Sequence, residues 1–259
     1  MQDLVNDSGQ RVFVGVDEYD APANAVLFSL DRAMFGRITN LFKSEFFRII
    51  KDMVAQNIVV KYWLTGVLPA FRDGLSPLTA ARVISGVREF HGLCGLTGAE
   101  VQTVAEAYLS RSLGPQELTE ALHEVRQWYN GYRFCKTKTH PIDPLYNPQL
   151  VFTHLRGLAA REPIEPRDEI EAPHTASVLN AIPKDGDSSF FDVFTQASSS
   201  SLESEVRAQF TADDVQMRYP WVTQTLLYYF GVFTYAETSR FLTIPNRTMR
   251  RLVHFIAIS

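Results

Sequence analysis

Two adjacent acids, Asp17 and Glu18, follow the apolar run Val12-Phe13-Val14-Gly15-Val16. An Asp at the end of a strand can hold a magnesium ion through water, and a Glu beside it can polarise an attacking water. Both roles require the carboxyl end of a central strand, where ligands bind in open α/β sheets. An acidic turn that caps the following helix would use the same residues, and the motif alone does not separate the two. Thr65 is a second candidate, because it follows Ile58-Val59-Val60-Lys61-Tyr62-Trp63-Leu64 and precedes Gly66. A hydroxyl there could sense a phosphate at a neighbouring strand end, or simply turn the chain into a loop.

These residues need elements to position them. Val12 to Val16, dense in β-branched residues, is expected to be a strand buried on both faces, as in a parallel sheet. Asp20 is placed to cap a helix with Pro22 in its first turn and Val26, Leu27, Leu30 and Met34 on one face. A second helix is expected around Phe46 to Val54, burying Phe46, Ile50, Met53 and Val54. Strand, helix, helix, strand at this spacing is a βαβ crossover, which requires a parallel sheet.

After residue 96 the periodicity changes. Thr97-Gly98-Ala99-Glu100 is a capping box, and Val101, Val104, Ala105, Tyr108 and Leu109 form one stripe behind it. Gly114-Pro115 opens a helix with Leu118, Leu122, Val125 and Tyr129. Asn147-Pro148 opens another with Val151, Leu155 and Leu158. Residues 97–160 are therefore expected to be a helical bundle without further sheet. The Pro- and acid-rich stretch 162–174 and the run Ser198 to Ser201 suggest exposed loops or a linker. Beyond them a helix over Trp221 to Phe230, a hairpin from Val232-Phe233-Thr234-Tyr235 and Phe241-Leu242-Thr243-Ile244, and a last helix opened by Pro245-Asn246 are expected. Met249, Leu252, Val253 and Ile256 form the apolar side of that last helix.

Composition bounds the class. The 259 residues are 46% hydrophobic and 21% charged, too apolar for a disordered chain. A net charge of -4 argues against broad nucleic-acid binding, and no Lys/Arg stripe is read along the chain. Two separated cysteines, Cys94 and Cys135, support neither a disulfide framework nor a zinc site. No apolar run is long enough to span a membrane and the first residues lack a secretory pattern, so a soluble intracellular protein is expected. Six scattered histidines and the lack of a Gly-x-Ser-x-Gly elbow argue against a histidine metal site or a serine triad.

Five motifs occur in one order: Val-Asp-Glu-Tyr-Asp-Ala-Pro (16–22), Leu-Thr-Gly-Val (64–67), Gly-Leu-Thr-Gly-Ala-Glu-Val (95–101), Trp-Tyr-Asn-Gly-Tyr-Arg-Phe (128–134) and Leu-Tyr-Asn-Pro (145–148). This sequence resembles the AAA-ATPase-like domain family, P-loop proteins that often precede a PD-(D/E)XK nuclease-type domain. The tail, Leu-Leu-Tyr-Tyr-Phe-Gly-Val-Phe-Thr (226–234) and Leu-Thr-Ile-Pro-Asn (242–246), looks like the family's connecting region before that nuclease.

The resemblance implies Mg-ATP as cofactor, Asp17 as the acid that holds magnesium through water, Glu18 as the water-activating acid and Thr65 as the sensor. It implies an α/β fold: an incomplete P-loop NTPase-type parallel sheet, then a helical lid and a small α+β tail. The expected segments are a partial ATPase core at 1–96, the lid at 97–160, a poorly structured linker at 161–210 and a helix-hairpin-helix connecting region at 211–259. Trp128, Tyr129, Gly131, Tyr132 and Phe134 match the family's aromatic block, for which packing around an Asn-Gly turn is the plainer explanation.

The family's phosphate loop, Gly-x-x-x-x-Gly-Lys-Ser/Thr, occurs nowhere in the sequence. The nuclease acids are missing too, so a fragment or a degenerate relative is expected, truncated before that loop. Arg72 and Arg82 could serve a neighbouring subunit as transition-state arginines, although surface arginines are the commoner case. Three functions compete. One is an ATP-binding and hydrolysing switch module that this truncated chain cannot operate. Another is a non-catalytic module that binds a protein partner, or itself, through the helical region. The third is a nuclease-associated DNA-binding element, with nucleic acid met only indirectly through the absent nuclease.

Overall fold

The computed structural model describes residues 9–27, 32–68, 82–136, 141–162, 188–199, 202–207, 210, 214, 219–238 and 240–258. The chain forms two compact units: residues 1–83 with 206–226, and residues 84–205 with 227–259.

In the first unit, β1 (Val12–Val16) pairs in parallel with β2 (Val59–Leu64), setting Val14 beside Tyr62, Gly15 beside Trp63 and Val16 beside Leu64. Parallel neighbours need a long crossover. Here it runs through α1 (Ala21–Leu27), α2 (Arg32–Leu41), a π-helical turn (Phe42–Phe46) and α3 (Phe47–Ala55). The side chains of a strand alternate between faces. Val14, Val16, Tyr62 and Leu64 turn to one side and pack on Phe47 and Ile50 of α3.

The other side is open. Phe13 is 62% exposed, with Val60 and Trp63 also exposed. The expected burial of β1 on both faces is therefore wrong: its apolar run reflects β-branched propensity on a strand covered on one side only. The helix expected around Phe46 also shifts by one residue. Phe47 is fully buried and Phe46 is exposed, because the π turn inserts an extra residue into the helical repeat and rotates the next face. Met34 is exposed as well, and residues 28–31, including Leu30, lie outside the described residues.

The second unit is built on α4 (Gly98–Leu109), α5 (Pro115–Tyr129) and α6 (Pro148–Ala160). Thr97 caps α4 as the sequence demands. Its hydroxyl accepts from the Glu100 amide at 3.3 Å, and Glu100 Oε2 accepts from the Thr97 amide at 2.8 Å. That bonding holds the exposed Glu100 carboxyl below its usual range. Val101, Ala105 and Leu109 meet Val125 and Tyr129 of α5 and Val151 and Leu155 of α6 in one core, while Tyr108 turns to solvent.

Sheet is present where only helices were expected. β3 (Asn130–Tyr132) pairs antiparallel with β4 (Leu145–Tyr146), and Leu96 bridges Tyr146. Residues 163–187 lie outside the described residues. Later in the stretch expected to be a poorly structured linker come α7 (Ser188–Ser198) and β5 (Leu202–Glu203), burying Val193, Phe194, Ala197 and Leu202. Ser198 ends that helix, so the serine run begins inside an element.

After α8 (Pro220–Tyr229), β6 (Thr234–Tyr235) and β7 (Phe241–Thr243) form the expected hairpin, with β5 added to β7. The last helix, α9 (Arg247–Ile258), buries Met249, Leu252 and Val253. No helix among the described residues is long and apolar enough to cross a membrane.

Candidate functional site

The ladder between β1 and β2 continues past both strand ends. The Thr65 amide donates to the Val16 carbonyl at 2.9 Å, and the Tyr19 amide donates to the Thr65 carbonyl at 3.0 Å. Asp17 and Thr65, which are 48 positions apart, are thereby brought side by side at the carboxyl ends of neighbouring parallel strands. The Thr65 hydroxyl donates to Asp17 Oδ1, which also accepts from the Glu18 amide at 3.0 Å. Asp17 Oδ2 makes no hydrogen bond to a described residue, and both side chains are exposed.

Glu18 takes up a left-handed backbone, φ +49°. For a residue with a Cβ this costs about 1–3 kcal/mol. The turn ends β1 and lifts the Glu18 carboxylate into solvent, where it has no hydrogen bond to a described residue.

The turn also drives Asp20 inward, to 1% exposure. The Asp20 side chain is expected to cap a helix. Its carbonyl does accept from the Ala23 and Asn24 amides at 3.0 and 2.9 Å, the bonds that start α1. Its carboxylate points elsewhere. Oδ2 accepts from the Val67 amide at 3.0 Å, the Leu68 amide at 2.5 Å and the Asn24 side-chain amide at 2.6 Å. The Tyr19 hydroxyl donates to the Leu68 carbonyl at 3.2 Å.

Asp20 and Tyr19 therefore hold the strap 65–68, and through it Thr65, in place against Asp17. Gly66 is required there, since a Cβ would overlap the Asp20 carboxylate and the Tyr19 ring. No local pattern marks Asp20 for this task, because its partners lie 47 and 48 residues away. Arg72 lies outside the described residues. Arg82 is exposed at the end of the first unit.

Among the described residues no group of three or more His, Cys, Asp or Glu is placed to hold a metal. Magnesium is usually held by one or two carboxylates while retaining several waters. One exposed carboxylate with Oδ2 unengaged suits that outer-sphere role.

In the second unit Tyr129 and Tyr132 of the aromatic block are packing. Tyr129 is fully buried and its hydroxyl lies 3.1 Å from His154 Nδ1. Burial lowers the His154 pKa, against the opposing pull of Glu124, whose carboxylate is 4.0 Å from Nε2. Tyr132 stacks on Phe134 at 6.0 Å, and burial pushes its phenol up to about 12, too high for proton transfer near neutrality. Gly131 has φ +129°, and a Cβ there would strike the Pro245 backbone.

A parallel strand pair with an acid and a hydroxyl joined at its carboxyl ends places this unit in the α/β class, at the edge where such sheets meet ligands. Residues 1–76 match the AAA-ATPase-like family model, described as a predicted AAA-ATPase. The family resemblance carried by residues 16–22 and 64–67 therefore holds over that stretch. No curated protein and no solved structure matches the chain.

Proposed function

We propose that the first unit is the acid-and-sensor part of an ATP-dependent switch module that, as this chain, does not hydrolyse ATP on its own. The supporting observation is the hydrogen bond between Thr65 and Asp17 at adjacent strand ends. In this reading Asp17 would hold the magnesium of Mg-ATP through water, Glu18 would polarise the attacking water and Thr65 would sense the γ-phosphate. Magnesium would supply charge neutralisation to the phosphates, while Asp20 keeps Thr65 aligned.

Backbone amides of a phosphate loop, with its Lys, supply most of the nucleotide's binding energy in P-loop enzymes. The sequence contains no such loop, so phosphates have little to hold them in front of Glu18. A second reading is a non-catalytic interaction module in which the acids serve as turn residues, supported by the left-handed turn at Glu18 and the helix start at Asp20.

Calorimetry of the folded chain with Mg-ATP, beside Asp17→Ala, tests the proposal. The expected result is no saturable heat in either protein. Saturable binding weakened by Asp17→Ala would mean that a phosphate site exists without the loop and would overturn the claim of inactivity. For the interaction-module reading, changing Asp17 and Glu18 together to amides should leave partner binding intact.

A further inference from the structure

Helix α9 carries a basic face. Arg247, Arg250, Arg251 and His254 stand at i, i+3, i+4 and i+7, on one side of the helix, and all four are exposed. The opposite side, Thr248, Met249, Leu252 and Val253, is buried in the core. Trp128 of α5 lies beside two of the arginines. The guanidinium carbons of Arg247 and Arg251 are 5.9 and 5.4 Å from the indole ring centre. We infer that this arginine–indole face binds the phosphate backbone of a single-stranded nucleic acid.

Helix stability does not account for these cations. The first turn of α9 carries no acid, and a helix N-terminus is its positive end, where cations are disfavoured. None of the three arginines pairs with a carboxylate of any described residue. The acid closest in sequence to Trp128, Glu124, is one turn away on α5 and is directed at His154. The chain carries a net charge of -4, so three arginines on one helix face without a carboxylate partner among the described residues are a local feature and not a property of the whole surface.

The face is also held in shape before any ligand arrives. The Thr248 hydroxyl donates to the Trp128 carbonyl at 2.9 Å, and the Met249 amide donates to Asn246 Oδ1 at 3.0 Å. Gly131 lets β3 lie directly against Pro245, just before α9.

The choice of ligand follows from the side chains. Arginine forks match phosphate oxygens bidentately. The partly exposed indole and the guanidinium planes beside it are surfaces on which an unpaired base can stack, the combination that single-strand binding uses. A lipid surface fits less well, because the apolar side of α9 is already spent in the core and cannot insert.

Fluorescence anisotropy of the full chain with a labelled oligothymidine, titrated between about 50 and 200 mM salt, tests this. The logarithm of the affinity is expected to fall linearly with the logarithm of salt. Each phosphate neutralised adds about 0.7 to the slope for single strands. The triple variant Arg247→Gln/Arg250→Gln/Arg251→Gln should therefore flatten the slope by about 2 while keeping wild-type circular dichroism. Arg37→Gln/Lys61→Gln, changing exposed cations of the first unit, should leave it unchanged. The inference is overturned by no binding at low salt, by unaltered binding in the triple variant, by tighter binding of duplex, or by capture on phosphatidylserine vesicles without oligonucleotide binding.

Discussion

Removing the Asp20 carboxylate should unfasten the candidate site without touching it. Its Oδ2 takes hydrogen bonds from three donors: the Val67 and Leu68 amides and the Asn24 side chain. Hydrogen bonds to a charged group each contribute about 1.5–3 kcal/mol, and a buried donor left unpaired costs about 1–3 kcal/mol. In Asp20→Ala the Leu68 amide stays buried, so that donor bears the full cost. The more exposed Val67 and Asn24 can turn to water. For Leu68 the lost bond and the unpaired donor together come to about 2.5–6 kcal/mol, a large share of the ~5–15 kcal/mol that holds a typical domain.

The loss should be local, and hydrogen exchange reads it. A change of 3 kcal/mol speeds exchange roughly hundredfold, since about 1.4 kcal/mol is tenfold. The Val67 and Leu68 amides should lose that much protection. The amides of α4, in the other unit, should keep theirs. Asp20→Asn retains one acceptor and should lie between. If Asp20→Ala left exchange at 67 and 68 within about threefold of wild type, under 1 kcal/mol, the carboxylate would not be what holds the strap.

Two further outcomes follow from the second unit. Burial depresses the His154 pKa in the folded state, so between that value and the unfolded value of about 6.5 the unfolded chain binds the extra proton. This contribution to stability is full above about pH 6.5 and declines as pH falls, with a slope of up to about 1.4 kcal/mol per unit. Glu124 opposes the shift, and the Tyr129 hydroxyl faces Nδ1. Urea midpoints measured from pH 7.5 to 5.5 should show the decline, and His154→Gln should remove its part of it. Gly131→Ala should cost at least about 2 kcal/mol, because it combines a positive φ with a Cβ driven into the Pro245 backbone. A melting temperature equal to wild type would refute that packing.

What could be read from the sequence is what neighbouring residues decide among themselves. The capping box at Thr97 and Glu100 closes within one helical turn, so its four residues suffice to specify it. The Pro openings of α5 and α6, the two parallel strands and the final hairpin carry their signals locally in the same way. The motifs at 16–22 and 64–67 pointed to the family that residues 1–76 match. Asp17, Glu18 and Thr65 were identifiable as strand-end residues.

Only the tertiary structure decided which of these residues meet and which faces are covered. Asp17 touches Thr65 because β1 and β2 pair in one register. Asp20 stays at the start of α1 with its carbonyl, but its carboxylate turns from the expected cap to amides 47 and 48 residues ahead, after the left-handed turn at Glu18. One extra residue in the π turn exchanged Phe46 for Phe47 in the core, a rotation that helical periodicity cannot foresee. The basic face of α9 was visible as letters but acquired meaning only when Trp128, more than a hundred residues earlier, was placed beside it and no carboxylate of a described residue paired with its arginines. Local propensity is set by short-range sterics and hydrogen bonding. Register, burial and charge pairing are set by distant segments, whose arrangement no single stretch of sequence contains.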